Sequence, residues 1–102
     1  MVKHIVLWNF VDGLSDEEKL EAGAKMKALL EPIKELVPGA VEIQVLQNQQ
    51  PSSNRDVALI STFETVEALM TYQSHPAHVE AGQYVRSVTC DRACMDYEYI
   101  TD

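Results

Sequence analysis

The sequence contains only three histidines, His4, His75 and His78, the side chains that titrate near neutral pH without special help. Two of them flank a proline in Tyr72-Gln73-Ser74-His75-Pro76-Ala77-His78. A residue before proline is pushed out of the helical region, and proline suits the first position of a helix, so a helical run breaks at His75 and resumes at Pro76. His78 then falls in the first turn of the new segment, where the positive end of the helix dipole and partial burial both favour an uncharged imidazole. The acidic character of the chain works in the opposite sense. His75 is placed to cap the new segment, a structural duty, and stands also among the side chains that could touch a ligand. Tyr72 is too far from His78 along the chain to share a face with it on a straight helix, but the break can fold the two together. His4 sits mid-strand. If its side of the strand is the one that the second helix covers, then His4, Tyr72 and His78 line one pocket, with Trp8 and Phe10 as apolar walls. A neutral base, a phenol donor and a second imidazole could remove a proton next to a carbonyl and stabilise the enolate that forms. A core histidine bonded to a carbonyl, with a tyrosine whose hydroxyl reaches the surface, would account for the same residues without chemistry.

Other chemistries lack their residues. There is no glycine-rich phosphate loop, no H-E-x-x-H pair and no G-x-S-x-G elbow. Cys90 and Cys94 have a spacing seen in zinc sites, but no second Cys/His pair at ligand spacing follows them, so neither a metal nor a cofactor is expected. Two thiols in a chain with core enough to fold unaided point to a reducing compartment, the cytoplasm, rather than to a disulfide. The run Asp16-Glu17-Glu18 reads as the favourable first turn of a helix. Against 8 Lys and Arg stand 16 Asp and Glu, a formal charge of −8, which repels nucleic acid and anionic lipid. No window approaches the ~18 apolar residues of a membrane span, and Met1 to Gly13 reads as a strand rather than a secretory leader.

The elements that must position the histidines follow from periodicity. With 102 residues the chain has room for one domain. Val2 to Val11 is rich in β-branched and aromatic residues and stops at the turn pair Asp12-Gly13. Ser15 and Glu18 form a capping box for a helix. Ala22, Met26, Leu29, Leu30, Ile33, Leu36 and Val37 make its apolar stripe, with Pro32 interrupting it and Pro38-Gly39 ending it. Val41 to Val45 alternates as a strand, Asn48 to Asn54 is a polar loop, and Val57 to Phe63 resumes the strand pattern. Thr65 can cap the next helix, the segment from Pro76 runs to about Ser87, and Arg92 to Ile100 makes the last strand. Tyr97, Tyr99 and Phe63 read as an aromatic cluster of core and interface. The order βαββαβ in so short a chain packs as an α+β, ferredoxin-like fold, a four-stranded antiparallel sheet with its helices on one face.

That arrangement leaves apolar surface over. In the first strand Val2, His4, Val6, Trp8 and Phe10 point one way, and Ile5, Leu7 and Val11 point the other with Lys3 and Asn9. Helices cover one face of a sheet, and an antiparallel sheet standing alone is expected to be polar on the other. A second copy, sheet against sheet, is the least costly cover, and burying about 800 Å² per partner would make a homodimer. A mixed face tolerated by water through Lys3, Asn9 and Glu42 is the alternative.

The opening Val2-Lys3-His4-Ile5-Val6-Leu7, the strand end Thr62-Phe63-Glu64 and above all Tyr72 to His78 resemble the stress-responsive α/β barrel domain (Dabb) family over nearly the whole chain. The resemblance implies a ferredoxin-like protomer that pairs sheet to sheet into a dimeric α+β barrel. Most members have no assigned reaction. One plant branch is a polyketide cyclase that performs an intramolecular aldol condensation without a metal or cofactor. By position its general base matches His78, its tyrosine Tyr72 and a pocket histidine His4, while a further pocket histidine falls near Val57. That departure separates a shared pocket from a shared substrate. Three readings follow: a homodimer binding a small carbonyl or aromatic molecule, a cofactor-free cyclase or isomerase with His78 as base, and a purely structural or protective dimer with a filled interior. All three require the second copy, so purified protein is expected to sediment at twice the 11.5 kDa chain mass at micromolar concentration. A stable 11.5 kDa species would refute the coverage argument.

Overall fold

A computed structural model describes residues 1–100. Its elements are β1 (Val2–Phe10), α1 (Asp16–Leu30), a 3₁₀ segment (Glu31–Leu36), β2 (Ala40–Gln47), β3 (Val57–Phe63), α2 (Val66–Ser74), α3 (Pro76–Val88) and β4 (Thr89–Glu98). The sheet has the order β2-β3-β1-β4 with every pair antiparallel. This is the ferredoxin-like arrangement, with the central strand β1 carrying one of the histidines.

Local chemistry sets the helix boundaries. The Ser15 hydroxyl accepts from the Glu18 amide while the Glu18 carboxylate accepts from the Ser15 amide, so the capping box is complete. Pro32 occupies the first turn of the 3₁₀ segment, where its missing N–H costs nothing, and the tighter winding beyond it turns Leu36 out of the apolar stripe and into solvent. Thr65 caps α2 through its hydroxyl to the Ala68 amide. The last strand starts at Thr89, three residues before the sequence pattern announces it, because β4 is an edge strand exposed along nearly its whole length and has no apolar alternation to read.

Pairing register decides which residues share a face. His4 lies opposite Ser61, Val6 opposite Leu59 and Trp8 opposite Val57. These, with Ile43 and Val45 of β2, are buried with the helices against them. The other side carries Ile5 and Leu7 of β1, Ala58 and Ile60 of β3, and Met95 and Tyr97 of β4. In the single chain it is uncovered: Met95 is 66% exposed. Lys3, bonded to Thr62, and Glu42 break this apolar surface without dividing it. The expected aromatic cluster is split by the same parity. Phe63 is fully buried beside Tyr72, whereas Tyr97 packs on Tyr99 away from it.

Two glycines take left-handed backbone angles, and their surroundings differ. Gly13 (φ 95°) faces open space, but a Cβ on Gly39 (φ 88°) would stand 2.8 Å from the Ala68 Cβ, where β2 begins beneath α2. Gly13→Ala is therefore expected to cost about 1 kcal/mol of strain alone, and Gly39→Ala a further 1–3 kcal/mol, roughly, for overpacking. Urea denaturation of the two variants compares them; equal losses would mean that the contact with α2 relaxes freely.

Candidate functional site

The break between α2 and α3 builds the site. Before Pro76, His75 adopts φ −63° and ψ 137°, which stops α2. Its side chain is then spent on the cap of α3, Nδ1 accepting from the Ala77 amide at 3.0 Å. With Ala77 so engaged, the Gln73 carbonyl at the end of α2 lacks its intrahelical donor, and it accepts from His78 Nδ1 at 3.1 Å instead. A donor at Nδ1 leaves Nε2 as the basic nitrogen of the neutral ring. The same bend brings the His78 ring against Tyr72, centroid to centroid 4.5 Å.

His78 is half-buried, and its pKa lies below the ordinary histidine value. Burial is the main cause; the Gln73 carbonyl opposes it in part, and positive charge from His4, Arg86 and Arg92 adds to the lowering. The field at this side chain is thus opposite in sign to the charge of the whole chain. Tyr72 is completely buried, and burial holds its phenol well above the usual tyrosine range, so it is a neutral donor at all ordinary pH. Its hydroxyl has no hydrogen-bond partner, the sole such buried side-chain atom among the described residues. Leaving a buried hydroxyl unpaired costs about 1–3 kcal/mol, which is seldom tolerated without a use.

His4 completes the group. Its ring meets Tyr72 edge-on at 6.3 Å, and its Nδ1 is bonded to the Asp96 carboxylate at 2.5 Å, across the β1–β4 pair. That carboxylate orients the imidazole and leaves Nε2 for a ligand. Cys94 Sγ lies 3.6 Å from the same Asp96 oxygen, so His4, Cys94 and Asp96 are donors that could together hold a metal ion. Burial and the adjoining Asp96 push the Cys94 thiol up, against the thiolate a metal needs. Hydrogen bonds join the three here: His4 and Asp96 share one, and the Cys94 thiol donates to the same Asp96 oxygen.

A cavity of about 280 Å³ lies between sheet and helices, lined by His4, Trp8, Tyr72 and His78 together with apolar side chains and two arginines. Four of the residues singled out by sequence therefore converge. Two do not. His75 is consumed as a helix cap, and Phe10, at the far end of β1, is buried in the core away from the cavity. Sequence reasoning missed Asp96, Arg86 and Arg92. For Arg86 a signal existed: His78, Gly82, Val85 and Arg86 recur at helical spacing on one face of α3. A larger concavity, about 520 Å³, lies under the Asn48–Arg55 loop beside Leu7 and Ala58 of the outer sheet face, and holds none of the histidines.

Residues 2–99 match the family model described as the stress responsive A/B barrel domain. A stress-response A/B barrel domain-containing protein, HS1, of Arabidopsis thaliana is 37% identical over 82 residues, 78% of this chain and 72% of that protein. A crystal structure of a dimeric protein of unknown function and ferredoxin-like fold from Bacteroides fragilis superposes with a TM-score of 0.87 at 35% identity, covering 96% of this chain and 95% of that one. A hydroxynitrile lyase from Passiflora edulis shares the fold alone, at 18% identity and a TM-score of 0.74 over 94% and 90% of the two chains.

The unpartnered phenol gives a direct test of whether Tyr72 is structural. Tyr72→Phe removes an unsatisfied buried group and is expected to leave stability unchanged or raise it by up to about 1 kcal/mol. A loss above about 1 kcal/mol in thermal or urea unfolding would show that the hydroxyl has a partner in the free protein.

Proposed function

The chain belongs to the stress responsive A/B barrel domain family, and on that premise we propose that it is a homodimer whose sheet–helix cavity binds a small carbonyl compound and removes a proton from the carbon beside the carbonyl. The observation that carries the reading is the fully buried, unpartnered Tyr72 hydroxyl, packed against a histidine whose Nδ1 is already committed. A donor and a base stand together in one cavity. A purely structural dimer calls for a filled interior, and the cavity argues against it. Dimerisation is supported by the apolar outer sheet face and by the dimeric Bacteroides fragilis relative. Among the described residues no helix is long and apolar enough to cross a membrane. Both cysteines are free and exposed, which fits a reducing cytoplasm.

In the proposed step His78 Nε2 takes the proton. The C–H pair becomes the carbon–carbon double bond of an enolate, the carbonyl π pair moves to oxygen, and that oxygen accepts a hydrogen bond from the Tyr72 O–H. His4, fixed by Asp96, offers a second imidazole to the same cavity. Return of the proton to another carbon gives an isomerase. Attack of the enolate carbon on a second carbonyl of the same molecule, with the proton passing from His78 to the new alkoxide, gives an aldol cyclase. The substrate decides between them.

Deuterium exchange at the methylene of phenylacetone, followed by proton NMR, reports the first step. His78→Ala is expected to slow enzyme-dependent exchange by ~10² or more without disturbing the dimer. Because the base is the neutral ring and its pKa is lowered, the rate should be flat from high pH down to about 6.5, the unperturbed histidine value, and fall only below it. A variant as active as wild type, or a rate already falling above that pH, would remove His78 as the base.

A further inference from the structure

The chain carries eight basic side chains, and most are engaged within the protein. Lys27 and Lys34 pair with Glu31 and Glu35, Lys3 bonds Thr62, Lys25 lies over the Tyr84 ring, and Arg55 donates to the Asn54 and Asp91 carbonyls. Among the described residues the remaining three, Lys19, Arg86 and Arg92, have no carboxylate within ion-pair distance, although acidic groups outnumber basic ones two to one; Lys19 does not line the cavity, which leaves the two arginines. Both line the cavity that holds His4, Tyr72 and His78.

Two local features of the backbone bring them there. On α3, a Cβ at Gly82 would lie 3.1 Å from Arg86 Nη1, so the guanidinium folds back along the helix over the bare glycine, on the His78 face. On β4 the pairing with β1 shifts between Leu7–Ala93 and Asn9–Cys90, so that Asp91 and Arg92 together oppose Trp8. Asp91 is the extra residue of this bulge. Its φ is 53°, the one positive value among non-glycine residues described, and Asn9 and Arg55 hold it by hydrogen bonds to its carboxylate and carbonyl. The bulge keeps Arg92 on the helix side with Asp96 and Cys94, and still lets Thr89 meet Phe10. A strained residue that re-aims a neighbouring side chain into a cavity is a device found beside functional sites.

We propose that Arg86 and Arg92 form an anion-reading subsite, and that the ligand of this cavity is a small oxo acid whose carboxylate they hold while its carbonyl faces Tyr72 and His78. The inference rests on reading the cavity as a carbonyl-compound site. A carboxylate matches the planar guanidinium fork in two parallel hydrogen bonds, and a cavity of about 280 Å³ limits the remainder of the molecule to a small body. The subsite gives the reaction its direction. With the carboxylate anchored at the α3–β4 mouth, the carbon beside the carbonyl is presented to one nitrogen, and a neutral ketone lacks that anchor.

The test compares phenylpyruvate with its methyl ester, which keeps the carbonyl and loses the charge. Binding of each is measured by calorimetry to the intact dimer, wild type, Arg86→Gln, Arg92→Gln and the double variant, with thermal unfolding to confirm that each is folded. Wild type is expected to bind the acid at least about tenfold more tightly than the ester, as charge-assisted bonds would give. Each single variant should lose about tenfold for the acid, the double variant should show no preference, and ester affinity should stay constant throughout. Raising sodium chloride from about 50 to about 500 mM should narrow the acid–ester gap in wild type. Equal binding of acid and ester by wild type, a preference that survives in the double variant, or inorganic phosphate binding as tightly as the acid would each overturn the oxo-acid assignment. Deuterium exchange at the methylene of phenylpyruvate, followed by proton NMR, is a separate readout. If it depends on His78 while the acid is not preferred, the subsite fails and the base stands; if arginine-dependent acid binding holds without any exchange, the subsite stands and the base fails.

Discussion

The nitrogen of Pro76 bears no hydrogen, and its ring excludes His75 from helical angles; the arrangement of the candidate site descends from that constraint. An uninterrupted helix from Val66 to Val88 would turn Tyr72 and His78 to different faces. The interruption strands the Gln73 carbonyl, recruits His75 as a cap and leaves His78 to satisfy the carbonyl, so one proline fixes both the tautomer of His78 and its contact with Tyr72. The hydrogen bonds that repair the break are the ones that prepare the base.

Electrostatics at the site run against the chain's overall sign. A formal charge of −8 ought to favour protonated imidazole, yet His78 is pushed toward the neutral form by burial and by the cationic side chains around it. Nearest neighbours prevail over net charge because distant exposed carboxylates are screened within roughly a Debye length of 8–10 Å. Around Tyr72 the balance is one of solvation. A buried phenol with no partner among the protein's own groups is a stability cost that a ligand oxygen would recover. Base, donor and two arginines without a carboxylate partner therefore share one cavity.

The sheet has the same incompleteness on a larger scale. Its inner face is closed by the helices, and its outer face, with Ile5, Leu7, Ile60 and Met95, is left for another surface to cover. The two faces do separate work. The histidine side builds a cavity within one protomer, while the outer side is suited to pairing with a second, so association and ligand chemistry can be altered independently by substitutions one residue apart along β1.

Much of this was legible in the residues alone. The capping box at Ser15 and Glu18, the winding change at Pro32, the break at His75-Pro76 and the two-faced β1 rest on local backbone sterics and on periodicity, which sequence records directly. The convergence of His4, Tyr72 and His78 followed from the break and from strand parity. The structure commits His75 to the cap already expected of it and not to the cavity, and it places Phe10 in the core, because a residue's type does not say which of two competing partners it will find. It also supplied Asp96, Arg86 and Arg92. Asp96 reaches His4 only through the β1–β4 register, and Arg92 faces the cavity only because Asp91 takes a left-handed angle and inserts a bulge. Sequence alone determined which chemical groups exist and which local turns they must make; the tertiary structure decided their partners, since pairing register and residual hydrogen-bond vacancies are settled by long-range packing that no short window of residues contains.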